Sequence, residues 1–307
     1  MYISIQTLLK NIIMNTISKQ TRSSLSKGKI VLFTLACIAI FIAVAVICGA
    51  LTSWIPNNTT RITIREILLR TPLTMLALHY FARKVIKAYN PAVVYGKLIF
   101  VKLLRWTAIA FVLPLAIGVF YYLSGFMMPF AHTIPLTNAD KLGLLIKWLS
   151  VSIAAGITEE VLFRGHLYMI ISSRCSKVQS IFLTSLIFGM VHIAMLTVIT
   201  PLDVVIVVTG GIIAGTMFSL ICQYTKSVWY AAIVHVVWDI FFIGKITAIA
   251  TTQTDANGTI LPFKLTTHNL LITGGNFGIE ATLPSFIVYV VIVAILYNKR
   301  SKAMVAA

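Results

Sequence analysis

Acid is scarce in the sequence: only 8 of its 307 residues are Asp or Glu, and charged residues of both signs make up 11%. A soluble globular domain carries about 25%, so an ordinary water-soluble fold is excluded. With 59% hydrophobic residues, a disordered chain is excluded as well. Cysteine is also scarce. Cys37, Cys48, Cys175 and Cys222 lie in apolar runs or beside basic loops, which leaves no disulfide framework for an outer face. No internal repeat or low-complexity tract appears.

What is abundant is apolar length, with a mean hydropathy of +0.94. Runs of the size that spans a bilayer, about 17–25 residues, occupy 30–53, 66–82, 98–123, 142–172, 178–197, 202–222, 228–249 and 281–297. They lack strand-like alternation, and helices are then the remaining way to satisfy the backbone in lipid. The sequence therefore predicts an all-α polytopic membrane protein, a bundle of about eight transmembrane helices. Its parts are a basic segment 1–29, three N-terminal spans over 30–123, a four-helix core over 140–250, an outer loop 251–280, and a last span with a basic tail over 281–307. The second span is interrupted by Glu66, Arg70, Pro72 and His79. In the sixth, Gly211 and Gly215 offer a small-xxx-small packing face.

The formal net charge of +17 raises the question of a nucleic-acid partner, but its distribution answers otherwise. Lys and Arg collect in alternate loops, around Lys27 and Lys29, Arg83 to Arg105, Arg174 and Lys177, Lys226, and Lys299 to Lys302. No acid shares that side. This is the cytoplasmic bias of a multi-pass protein, with both termini cytoplasmic, and in a bacterium it would place the chain in the inner membrane. The same basic face suits anionic lipid headgroups, and no nucleic acid is implied.

Ionisable side chains within spans cost about 2.5–3.5 kcal/mol each on insertion scales, and here they cluster in three helices. The fourth run carries Glu159, Glu160 and Arg164, the fifth Phe188 and His192, and the seventh His235 and Asp239. At ~1.5 Å per residue, Glu159, His192, His235 and Asp239 fall in one layer of the membrane. Glu160 and Arg164 share a helix face, as do His235 and Asp239, whereas Glu159 points to a neighbouring face. A desolvated carboxylate is an effective general base. Glu159 is thus placed to take a proton from water, His192 to orient that water, and His235 to stabilise an oxyanion at an attacked carbonyl. No GxSxG, HExxH or Gly-rich phosphate loop lies near these residues, which removes the common serine-hydrolase, zincin and NTPase chemistries.

Glu159-Glu160-Arg164, Phe188-His192 and His235-Asp239 resemble the EExxxR, FxxxH and HxxxN/D pattern of the CAAX protease and bacteriocin-processing (Abi) family of intramembrane endopeptidases. The resemblance covers roughly 140–250. It implies that Glu159 activates water with His192, that Glu160 and Arg164 shape the site, and that His235 with Asp239 stabilises the oxyanion. It also implies a membrane-associated protein or peptide as substrate, in roles such as peptide maturation or bacteriocin self-immunity. Where eukaryotic prenyl-protein processors of the family have Asn, this sequence has Asp239, which acts either as the protonated acid or by holding His235. Both a metal-free mechanism and a Zn²⁺ bound by Glu159, His192 and His235 are open, the former being preferred. The rival readings are a non-catalytic immunity or binding protein and a proton-coupled transporter. Against the transporter, all the chemistry lies in the second half, without the related halves such proteins show.

Overall fold

The computed structural model describes residues 25–87, 90–129, 135–243, 247–250 and 259–305. Most of the basic N-terminal segment lies outside them. The chain is predominantly helical. Helix α1 (Lys27–Thr52) begins at Ser26, whose hydroxyl accepts from the Lys29 backbone N–H. The helical stretch α2 covers 58–86 and alternates α-helical Asn58–Thr63 and Thr71–Phe81 with π-helical Ile64–Arg70 and Ala82–Ile86. Then come α3 (Phe100–Leu123), α4 (Asn138–Ser172), α5 (Lys177–Met195), α6 (Pro201–Thr225), α7 (Val228–Phe242) and α8 (Leu283–Val305).

Among the described residues, α1, α3, α4, α5 and α6 are long and apolar enough to cross a membrane, while α7 and the apolar part of α8 are shorter. Their starts follow from the local sequence. Thr137 with Asp140 and Ser176 with Gln179 form capping boxes at α4 and α5, and Thr200 caps α6 ahead of Pro201. On α1 the outward side chains Val31, Leu32, Leu35, Val46 and Ile47 are exposed, an apolar surface that fits lipid and not water.

Within α2, the acid and bases that interrupt the second run satisfy one another. Glu66 is buried, with Oε1 2.8 Å from Arg65 Nε and Oε2 2.8 Å from Arg70 Nη1. The Thr71 hydroxyl donates to the Glu66 carbonyl at 2.7 Å.

Helix α7 is apolar on all sides and lies at the centre of the bundle, as such a helix must. Tyr230, Ala231, Val234, His235, Val237 and Asp239 are all buried. It packs on α3, α4 and α6. Gly156 of α4 faces Val236, and a Cβ there would come within 2.8 Å of the Val236 backbone nitrogen. The α5–α6 contact is closer still, because Gly211 packs directly on the Gly189 backbone and Gly215 on Ser185, using both members of the small-residue face read from sequence.

One boundary differs from expectation. The seventh run, 228–249, leaves the helix at Phe242, and Thr247–Ala250 forms a strand, β2. This strand pairs in parallel with β3 (Leu261–Leu265), which pairs antiparallel with β1 (Met127–Pro129). The segment expected as a simple outer loop therefore folds back, where described, onto the bundle. The Tyr121 hydroxyl of α3 donates to the Ile272 carbonyl, and Ile279–Ala281 forms a 3₁₀ turn before α8.

Candidate active site

The motif helices α4, α5 and α7 bring their polar residues together. At Glu160 the α-helix of α4 gives way to a π-helical stretch, Val161–Leu167, a wider winding that recurs at functional sites. There the His166 ring donates from Nδ1 to the Val161 carbonyl at 3.0 Å, a local structural role.

Glu160 is wholly buried. Its Oε1 accepts from Arg164 Nη1 at 2.8 Å and from His235 Nδ1 at 2.9 Å. One carboxylate oxygen thus ties α4 to α7. The expected pairing of His235 with Asp239 is correspondingly changed. Asp239 Oδ1 lies 3.5 Å from His235 Nε2, and neither Asp239 oxygen has a hydrogen-bond partner. The shared helix face places the two side chains near each other, but the imidazole aligns with the carboxylate already held by Arg164.

On α5, His192 Nδ1 donates to the Phe188 carbonyl at 2.6 Å. A neutral ring so held presents Nε2 as an acceptor. That atom lies 3.8 Å from Glu159 Oε2, which is buried without a hydrogen-bond partner. The separation is too long for a direct hydrogen bond and suits a small molecule contacting both atoms. Glu159 and Glu160 thus part company: one faces a histidine across a gap, the other is locked between two cationic groups.

Phe188 is more than wall. Its ring centroid lies 4.3 Å from that of His192 and 6.1 Å from that of His235, with the Arg164 guanidinium 4.4 Å above its face. Phe218 of α6 stacks on His235 at 4.7 Å and also faces Arg164, at 5.1 Å. The two aromatic faces hold the guanidinium by cation–π attraction and fix the imidazole plane.

A cavity opens beside these rings, with about 480 Å³ of space when the adjoining open solvent is included, lined by His192, His235 and Asp239 together with Trp238, Phe277 and Glu280. Glu159 and Glu160 are not in its wall; they reach it through His192 and His235. Sequence reasoning missed Glu280 and Phe277. Glu280, at the end of the stretch read as an outer loop, accepts from the Trp238 indole N–H at 2.8 Å, and Phe277 meets the His192 ring edge-on at 6.1 Å. The available signal was that Glu280 directly abuts the last apolar run. Burial pushes the Glu280 carboxyl up to about 7, against opposing effects of His235 and the Trp238 hydrogen bond.

The alternative zinc set does not assemble. Among the described residues no group of three or more His, Cys, Asp or Glu side chains is arranged to hold a metal ion.

Residues 141–241 match the family model described as Rce1-like, type II CAAX prenyl endopeptidase. No curated protein and no solved structure matches the chain. The matched segment contains all three motifs, from Glu159 through Asp239, and runs through the helices that build the site. By motif order and this match, residues 141–241 are similar to the Rce1-like CAAX prenyl endopeptidases.

Proposed function

We propose that the protein is an intramembrane endopeptidase in which Glu159 activates water against a peptide bond of a membrane-associated protein or peptide. The observation that carries this is the 3.8 Å gap between Glu159 Oε2 and His192 Nε2, two acceptor atoms with Oε2 otherwise unpartnered. A water donating one hydrogen to each would expose a lone pair for attack. Glu159 takes the proton, and the O–C bond forms as the carbonyl π pair moves onto oxygen.

His235 answers that charge. Its Nδ1–H is spent on Glu160, so donation into the cavity requires the imidazolium form, with Nε2–H as the donor. Glu160 and Asp239 flank the ring and stabilise that cation, while Arg164 balances Glu160. Asp239 therefore acts through His235 and needs no hydrogen of its own. Collapse of the tetrahedral intermediate breaks the C–N bond, and Glu159 returns its proton to the leaving amine.

The distribution of basic loops supports an orientation with that side in the cytoplasm. Peptide maturation and bacteriocin self-immunity are the biological settings we associate with this activity. Comparing peptide termini in membranes that contain the native protein or its Glu159→Ala variant tests the reading. New termini confined to the native sample support hydrolysis. Identical termini with retention of a cellular phenotype favour a binding or carrier role.

A further inference from the structure

The cavity beside His235 holds an acid, Glu280, that the hydrolytic chemistry leaves unused. Asp239 is 1% exposed, lines the cavity, and has no hydrogen bond to either oxygen. Glu280, delivered from the opposite direction by the turn before α8, reaches the same wall. Among the described lining residues there is no Lys or Arg. The guanidinium of Arg164 is committed to Glu160 and enclosed by Phe163, Phe188 and Phe218. The aromatic side chains of Trp238, Phe218 and Tyr289 also line the cavity.

Two carboxyl groups backed by aromatic rings make a receptor for a cation, since both the charges and the ring faces attract positive charge. A buried acid without a partner is costly. A ligand that brings a guanidinium or ammonium removes that cost on binding.

We infer that the Asp239–Glu280 pocket is a specificity site that receives a basic side chain, Arg or Lys, of the substrate next to the scissile bond. This rests on the endopeptidase reading for the position of the bond, and assigns to Glu280 a substrate-binding role separate from the chemistry at Glu159. The turn bearing it is held in place independently of the motif helices. Asp203 at the start of α6 accepts from the Asn276 side chain at 2.8 Å and from its backbone N–H at 3.1 Å.

The test uses the full-length protein in lipid nanodiscs with N-palmitoylated decapeptides in which one position at a time is Arg or its neutral isostere citrulline. At one position, wild type should cleave the Arg peptide with kcat/KM at least about tenfold above the citrulline peptide. Glu280→Gln should bring that ratio within about twofold by lowering the Arg rate far more than the citrulline rate, and Glu280→Lys should invert it. A ratio near one at every position in wild type overturns the inference, as does an equal loss on both peptides in Glu280→Gln. Fluorescence anisotropy of the labelled peptides on Glu159→Ala, with and without Glu280→Gln, gives a readout free of turnover. Arg preference in binding that vanishes with Glu280→Gln, without any cleavage by wild type, sustains the pocket and sinks the protease reading. Cleavage without charge preference does the reverse.

Discussion

His235 is hydrogen-bonded through Nδ1 to Glu160 Oε1 at 2.9 Å, across 75 residues of sequence, and not to Asp239 one turn along its own helix. The bond makes Glu160 the link between Arg164 and the imidazole. Removing the carboxylate by Glu160→Ala leaves Arg164 and His235 buried without their counter-charge, a change that costs about 3–5 kcal/mol. Glu160→Gln keeps an acceptor but removes the charge that favours imidazolium. The Ala variant should lose most of its thermal stability in detergent, whereas the Gln variant should fold and show a reduced kcat. Equal melting of the Ala variant and wild type would contradict this.

Close approach of α5 and α6 places Phe188 and His192. Since Gly211 packs on the Gly189 backbone, Gly211→Ala must push the helices apart at a cost of about 1–3 kcal/mol. Lower Tm and reduced activity together are the expected outcome, measured by thermal unfolding and peptide cleavage on one preparation.

Glu280 gives the protein a pH signature. Its ordinary value is 4.5, and burial moves it to about 7. Between those values the folded protein keeps a proton the unfolded chain has lost, so this group's contribution to stability is greatest below 4.5 and declines as pH rises to 7. The groups bearing on it are Trp238, His235 and Asp239 from α7, Glu159 from α4 and Tyr289 from α8. Glu280→Gln stays neutral throughout. Its Tm should match wild type at pH 5 and exceed it by a few degrees at pH 8; parallel Tm curves would refute the assignment.

Asn276 should matter more for substrate than for stability. Asn276→Ala deletes the side-chain bond to Asp203 Oδ2 and leaves the backbone bond to Oδ1. We expect a stability loss of about 1 kcal/mol or less, with a KM several-fold higher because Phe277 and Glu280 are less firmly held. An unchanged KM would mean that the turn has no part in binding.

The helical runs were readable because lipid permits few backbone arrangements, and the motif residues because an ionisable group inside a span demands a reason. Other features were hidden for physical reasons. The spacing of His235 and Asp239 gives a shared face, but which carboxylate aligns with the ring depends on how α4 meets α7, a matter settled by Gly156 against Val236. Glu280 was hidden because sequence order gives no sign that the outer loop turns back between α6 and α8. The end of α7 at Phe242 was equally hidden, since Ile, Ala and Thr after it suit a strand as readily as a membrane helix. The π-helical winding after Glu160 has no compositional mark at all.

The most direct measurement is steady-state cleavage by purified Glu159→Gln, which keeps the side chain's size and removes its basicity. If Glu159 activates the water, kcat falls by about 10²–10⁴-fold while KM and Tm stay close to wild type, because Glu160, Arg164 and His235 remain tied together. A Glu159→Gln enzyme that turns over at the wild-type rate would contradict the account.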